Sequence, residues 1–417
     1  MIERETMRRL SRAATMLVVV VVGVPALAKP AAPRAEPLRL ERVVLLMRHG
    51  VRPPTKDPAM PAGTARDPWP SWPVAPGYLT PHGAAAVRLL GLADRAWLGK
   101  AGLMPRSGCP AAGLVALHSD SDQRTIATGD AYLDGLARGC DIANRHEAQD
   151  HPDPLFATAG EGDLPFDPDR ANKAVAGTLG PKGIAGVEAD RRDVLARLDH
   201  ILCGARAASC GVARTPTTIV PAGPGKRPKL AGALDRGSTA AQIVLLEYAE
   251  GKPMAEVGWG RATAADVTAL GALHSTEFAL LARPPYLAAR NSEPIARAIL
   301  ASLAATGPAA ARVSVIVGHD TNVASLGGLL DLHWQVPGYA ADDPPPGGAI
   351  LLELLRDRSG RRFVRARFRA QTLDALRTLA PLDRPGNETR KILPIGGCSA
   401  TCPLDRFRAL IEARLTR

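Results

Sequence analysis

The segment Arg48-His49-Gly50-Val51-Arg52-Pro53 sets one imidazole between two guanidiniums. Flanking cations disfavour the imidazolium and keep the ring neutral, hence nucleophilic, at a lower pH than free histidine tolerates. The same cations match the oxygens of a phosphoryl group through their planar forks. A site that only binds an anion needs the arginines and has no use for the imidazole. A basic surface on which His49 merely ends a strand would carry the same residues, and so short a motif recurs by chance. Gly50 lets the backbone approach a ligand, and Pro53 fixes the chain after Arg52. His319-Asp320 is the chemical complement: a second imidazole to hydrogen-bond a phosphoryl oxygen, and a carboxylic acid to protonate a leaving oxygen. Arg124 adds a third guanidinium. Each is weak alone, and the combination is what points to catalysis.

These side chains need elements to hold them. Val43–Met47 is a continuous apolar run, the mark of a strand buried on both faces, and it ends at Arg48-His49-Gly50. Thr80-Pro81 is a helix start, after which Val87, Leu90, Ala93 and Trp97 recur at helical spacing. Leu114–His118 reads as a second strand. Ser119-Asp120-Ser121-Asp122 then offers caps for a helix with Ile126, Gly129, Leu133 and Leu136 on one face. Strand signals fade from about Pro165 to Pro285, where Thr239–Ala249 and Thr263–Leu281 read as helices and Pro216–Pro228 as a Pro/Gly-rich loop. Val313–Val317 is another buried strand, ending at Gly318-His319-Asp320, and Thr321-Asn322 opens a helix through Leu330. The pattern predicts an α/β fold, with a central, mainly parallel sheet flanked by helices over 40–160 and 289–417. A smaller α-helical domain is inserted at 161–288. In such sheets ligands bind beyond the carboxyl ends of the strands, where helix N-termini add positive dipoles.

The chain has 417 residues, 46% apolar and 22% charged, with a formal net charge of +11. That suits a folded soluble protein. The basicity is diffuse and mostly arginine, as GC-rich coding also produces. Aromatics, at 4%, do not interleave with basic residues as a nucleic-acid stacking platform requires. Arg8, Arg9 and Arg12 precede the apolar run Met16–Val24, and Ala26-Leu27-Ala28 is a cleavage pattern. Residues 1–28 are therefore expected to be a signal peptide and 29–39 a linker. Cleavage removes four arginines and two glutamates, lowering the net charge from +11 to +9. The expectation is a periplasmic or secreted monomer, away from the membrane once processed. Export makes disulfides the natural state of Cys109, Cys140, Cys203, Cys210, Cys398 and Cys402. Six cysteines allow 15 connectivities, of which three local pairs are the simplest. No His/Cys/carboxylate cluster surrounds the motifs at ligand spacing, so no metal and no cofactor is expected.

RHGVRPPTK (Arg48–Lys56) and GHDTN (Gly318–Asn322) resemble the two signature motifs of the histidine acid phosphatases, branch 2 of the histidine phosphatase superfamily. WPSWPVAPGYLTPHG (Trp69–Gly83), DQRTIATG (Asp122–Gly129), GWGR (Gly258–Arg261) and PPGG (Pro345–Gly348) extend the resemblance, which is greatest to bacterial periplasmic phytases and acid phosphatases. It implies that His49 becomes a phosphohistidine, that Arg48, Arg52, Arg124 and His319 hold the phosphate, and that Asp320 protonates the leaving alcohol. Thr55 and Lys56 match substrate-contacting positions, and the three local cysteine pairs match family positions. The substrate implied is a small phosphate monoester, phytate or a sugar phosphate. A glucose-1-phosphatase-like or broad sugar phosphatase, and a non-catalytic phosphate-binding protein, are the alternatives. Some positions depart from the pattern. No cysteine lies between Cys140 and Cys203, Gln242 stands where a glutamate is expected, Asn291 lies near an expected arginine, and Ala349 replaces an acidic residue.

Overall fold

The computed structural model describes residues 38–160, 166–205, 210–307 and 310–416. The expected signal peptide and almost all of the linker lie outside the described residues. The strands are β1 Arg39–Arg48, β2 Val115–Ser119, β3 Asn144–Arg145, β4 Thr218–Val220, β5 Lys229–Ala231, β6 Val313–Gly318, β7 Ala349–Arg356, β8 Arg362–Gln371, β9 Glu388–Leu393 and β10 Cys402–Pro403. The helices are α1 Pro81–Lys100, α2 Gln123–Leu136, α3 Pro168–Ala176, α4 Gly183–Ala189, α5 Arg192–Cys203, α6 Ala233–Ala249, α7 Ala264–Leu281, α8 Pro285–Ala304, α9 Asp320–Leu330, α10 Leu373–Thr378 and α11 Leu404–Leu415.

The main sheet runs β10-β8-β7-β1-β6-β2-β3, with β9 also paired to β8. Its β1, β6, β2 and β3 are parallel, and β7 to β10 continue it antiparallel. The apolar run of β1 reflects burial on both faces: Val44 and Leu46 join one core, Val43, Leu45 and Met47 the other. One core packs α5 to α9 against the sheet, and the opposite core packs α1 and α2. The helical stretch expected as an insertion thus shares its apolar core with the sheet. All six cysteines are paired, as Cys109–Cys140, Cys203–Cys210 and Cys398–Cys402.

Local signals account for the elements that reach the site. Thr80 caps α1, its side chain accepting from Gly83 N, with Pro81 in the first turn. Two local expectations need correcting. Pro216–Pro228 is not loop throughout, because Thr218–Val220 pairs antiparallel with Lys229–Ala231. The buried face of α2 is Thr125, Thr128, Gly129, Tyr132, Gly135 and Leu136. Ile126 and Leu133 are only half-buried. Small residues win that face because α1 and α2 touch backbone to backbone. A Cβ on Gly135 would overlap the Arg88 carbonyl, and one on Gly91 the Tyr132 carbonyl. Gly135→Ala should therefore destabilise the fold by about 1–3 kcal/mol, read as a lower thermal midpoint. An unchanged midpoint would mean that the helices separate freely.

Candidate active site

Three parallel strands end together, and that alignment builds the site. Arg48 is paired with Gly318 and Ser119 with Val317. The next residue of each strand is then His49, His319 or Asp120. The backbone continues the ladder for one more step, with His49 N donating to Gly318 O at 2.9 Å and Asp120 N to Val317 O at 2.9 Å. The two imidazoles stand with ring centroids 5.7 Å apart. Helix α9 starts immediately after, so Asp320 occupies its first turn.

His49 is 1% exposed. Its Nδ1 lies 2.8 Å from Gly50 O. A carbonyl only accepts, so Nδ1 carries the proton and Nε2 is left with a bare lone pair. Burial, then Arg52, Arg124 and Arg48, hold the imidazole well below its ordinary pKa. Gly50 has a different reason from the one its motif suggested. A side chain there would strike Leu79 Cδ1 at 2.8 Å and Val87 Cγ2 at 2.9 Å, so the residue is small because α1 and its cap press on it.

The cations sit at two levels. Arg52 and Arg124 line a cleft of about 380 Å³ together with His49, Asp120, His319, Asp320 and Arg227. Arg52 donates to Pro53 O at 2.9 Å, and burial beside Arg124 and Arg48 brings its guanidinium down to about 10. Arg124 bridges Asp122 at 2.6 Å and His319 Nδ1 at 3.5 Å. Arg48 lies underneath, 1% exposed, donating to Pro344 O at 2.6 Å and Gln242 Oε1 at 3.1 Å and pairing with Asp320 at 2.9 Å. Burial alone would raise the Asp320 pKa, but Arg48 and then His274 outweigh it and hold the carboxyl far below the usual range.

The structure thus gathers His49, Arg48, Arg52, Arg124, His319 and Asp320. Thr55 and Lys56 are exposed and do not line this cleft; Lys56 borders a neighbouring pocket. Asn291 is buried away from it, accepting from Ala159 N at 3.0 Å. Sequence reasoning missed three contributors. Arg227 lies within the Pro/Gly-rich segment and carries no motif. His274 Nε2 stands 4.0 Å from Asp320 while its Nδ1 bonds buried Asp343 at 2.7 Å. Asp120 receives His319 Nε2 at 2.6 Å, whereas its sequence context marks it only as a possible cap. Ligand atoms of Asp120, Asp122 and His319 lie within 4.8 Å of one another, but hydrogen bonds to His319 and Arg124 already engage them.

The sequence profile of the histidine phosphatase superfamily (branch 2) matches residues 39–162 and 270–369. The chain belongs to that superfamily. It is 34% identical to phytase AppA of Escherichia coli K12, over 94% of this chain and 96% of that one. Glucose-1-phosphatase of Salmonella typhimurium is 28% identical over 94% of this chain and 97% of its own. Among solved structures, Hafnia alvei phytase in complex with tartrate superposes with a TM-score of 0.82 at 33% identity, covering 91% of this chain and 97% of that one.

The electrostatics give a direct test. In ¹⁵N NMR spectra His49 should remain in its neutral Nδ1–H form well below the pH at which an exposed histidine protonates. Filling the cleft with tungstate, which offsets the arginines, should raise its pKa. Protonation of His49 at the pH of an exposed histidine would refute the burial and charge argument.

Proposed function

We propose that this enzyme hydrolyses phosphate monoesters in two steps through a phosphohistidine on His49, with Asp320 delivering and recovering the proton. Superfamily membership makes the chain a phosphomonoester hydrolase. The observation that carries the residue roles is the His49 ring, anchored by Gly50 O through Nδ1 and presenting Nε2 among arginines. Nε2 attacks phosphorus as the bond to the alcohol oxygen breaks, and Asp320 protonates that oxygen. Water then attacks phosphorus, gives its proton to the Asp320 carboxylate, and releases phosphate and free Nε2. Arg52, Arg124 and His319 hold the phosphoryl oxygens, while Arg48 supports them from beneath and orients Asp320.

Arg48 and His274 keep Asp320 ionised before substrate binds, so its proton must arrive with the substrate. A phosphate monoester loses its second proton near pH 6, and below that it enters as a monoanion. The arginines favour the dianion, so the proton is displaced onto Asp320, whose pKa rises once phosphate offsets Arg48. The rate should therefore fall as pH rises through about 6. Esters with a more acidic second proton should move that limb downward; a limb that stays put would assign it to the enzyme.

Arg52, Arg124 and Arg227 serve one phosphate, and no lysine lines the cleft among the described residues. That supply supports a sugar phosphate over the polyphosphorylated phytate. Ala26-Leu27-Ala28 supports an exported enzyme whose mature chain begins at Lys29, which N-terminal sequencing of periplasmic protein tests.

His49→Ala should abolish turnover and phosphoenzyme together, whereas a merely phosphate-binding protein would turn over no p-nitrophenyl phosphate at all. Asp320→Asn should keep substrate binding and lose roughly 10²–10⁴-fold in kcat on an alkyl phosphate, with a smaller loss on p-nitrophenyl phosphate, whose leaving group needs little protonation. Equal losses on both esters would remove Asp320 from the role of acid. Activity should also survive EDTA, the arginines being the cations; loss reversed by Mg²⁺ or Zn²⁺ would point to the Asp120, Asp122 and His319 group instead.

A further inference from the structure

Behind the loop that carries Arg52 lies a second pocket of about 360 Å³, walled by Pro53, Trp69, Trp72, Ile243 and Glu247. Two of its walls are chain neighbours of residues that serve the catalytic cleft. Arg52 faces the cleft while Pro53, the next residue, faces the pocket; on α6, Gln242 holds Arg48 and Ile243, the next residue, lines the pocket. The size suits a small-molecule site.

The pocket's chemistry differs from that of the cleft. Its ionisable groups are Lys56, Asp57 and Glu247, with no excess of positive charge, so it is no place for a second phosphate. Its aromatic walls are held in place. Trp69 packs on Trp259 with centroids 4.9 Å apart. The Lys252 ammonium sits 4.9 Å over the Trp72 ring and donates to Ser71 O. Glu247 is 0% exposed, and its Oε2 accepts from Gly258 N at 2.8 Å. Its Oε1 has no hydrogen-bond partner. A buried carboxyl oxygen with nothing to bind is costly unless something that enters the pocket satisfies it. Burial also pushes the Glu247 carboxyl up to about 7, so at acidic pH it is uncharged and offers an O–H as well as an acceptor. Flat indole faces beside a neutral carboxyl suit a saturated ring with C–H faces and peripheral hydroxyls.

We propose that this pocket is a leaving-group subsite for a neutral, hydroxyl-bearing ring of the substrate's alcohol, stacked on Trp69 and Trp72 and hydrogen-bonded to Glu247 Oε1. The inference rests on the phosphatase reading above and sharpens it: preferred substrates are sugar-like alcohols carrying a single phosphate.

Glucose 6-phosphate, methyl phosphate and inositol hexakisphosphate are the probes, each assayed on the wild-type enzyme and on Trp72→Ala, Trp72→Phe and Glu247→Gln. Trp72→Ala should raise KM for glucose 6-phosphate by about three- to tenfold with kcat unchanged. Trp72→Phe should restore most of the loss, and methyl phosphate and inositol hexakisphosphate should be unaffected. Glu247→Gln, which keeps an acceptor for Gly258 N, should likewise raise KM for glucose 6-phosphate alone. Saturation-transfer NMR should show free glucose receiving magnetisation from the wild-type protein and not from Trp72→Ala. Loss of activity in step on all three esters, or an unchanged KM for glucose 6-phosphate, would overturn the subsite. Failure of the wild-type enzyme to hydrolyse any ester would instead overturn the phosphatase reading, and the subsite with it.

Discussion

Arg48, Arg52 and Arg124 repel one another, and holding all three around a single imidazole is the constraint that organises this molecule. Like charges this close are tolerated only where geometry is fixed and counter-charges are near. Asp320 answers Arg48 at 2.9 Å, and Asp122 answers Arg124 at 2.6 Å. Asp120 and Asp343 anchor the two histidines that stand between these groups. The carboxylates are thus as much part of the anion site as the guanidiniums. On the mechanism proposed above, an entering phosphate exchanges partners within a preset charge pattern, and little has to reorganise. Such preset dipoles and charges are the usual source of electrostatic catalysis.

The rigidity comes from the sheet. Parallel strands β1, β6 and β2 fix His49, His319 and Asp120 through main-chain pairing, so side-chain positions at the cleft inherit the precision of a ladder. Beyond the antiparallel half, Asp94 is fully buried and binds Arg369 at 2.7 Å, Arg390 at 2.6 Å and the Tyr132 hydroxyl at 2.8 Å. That cluster ties α1 and α2 to β8 and β9 and braces the platform from behind. Paired with two guanidiniums and accepting from the Tyr132 hydroxyl, Asp94 avoids the penalty that a lone buried carboxylate would carry.

Much of this was legible in the sequence, and the parts that were not have identifiable reasons. Val43–Met47 and Val313–Val317 announced themselves because strands covered on both faces are dominated by apolar, β-branched residues. The motif residues were readable because they follow those strands directly. β8 was harder, since its alternating arginines Arg365, Arg367 and Arg369 resemble a basic surface until Glu353 and Asp94 are seen to receive them. His274 and Asp343 lie 69 residues apart and share no local signature, so only the packing of α7 over the cleft reveals the pair. Similarly, the α2 face was misread because hydrophobicity points to Ile126 and Leu133, while close helix packing selects for absence of side chain at Gly135.

The bond from His49 Nδ1 to Gly50 O has a further meaning for how this site evolves. On the mechanism proposed above, the group that chooses which ring nitrogen meets phosphorus belongs to the main chain, and every residue type supplies the same carbonyl. Substitution at position 50 reaches it only through the backbone, which must shift when a Cβ meets Leu79 and Val87. The regiochemistry of the proposed phosphohistidine is thus set by the packing that keeps residue 50 a glycine, not by a side-chain partner of the ring.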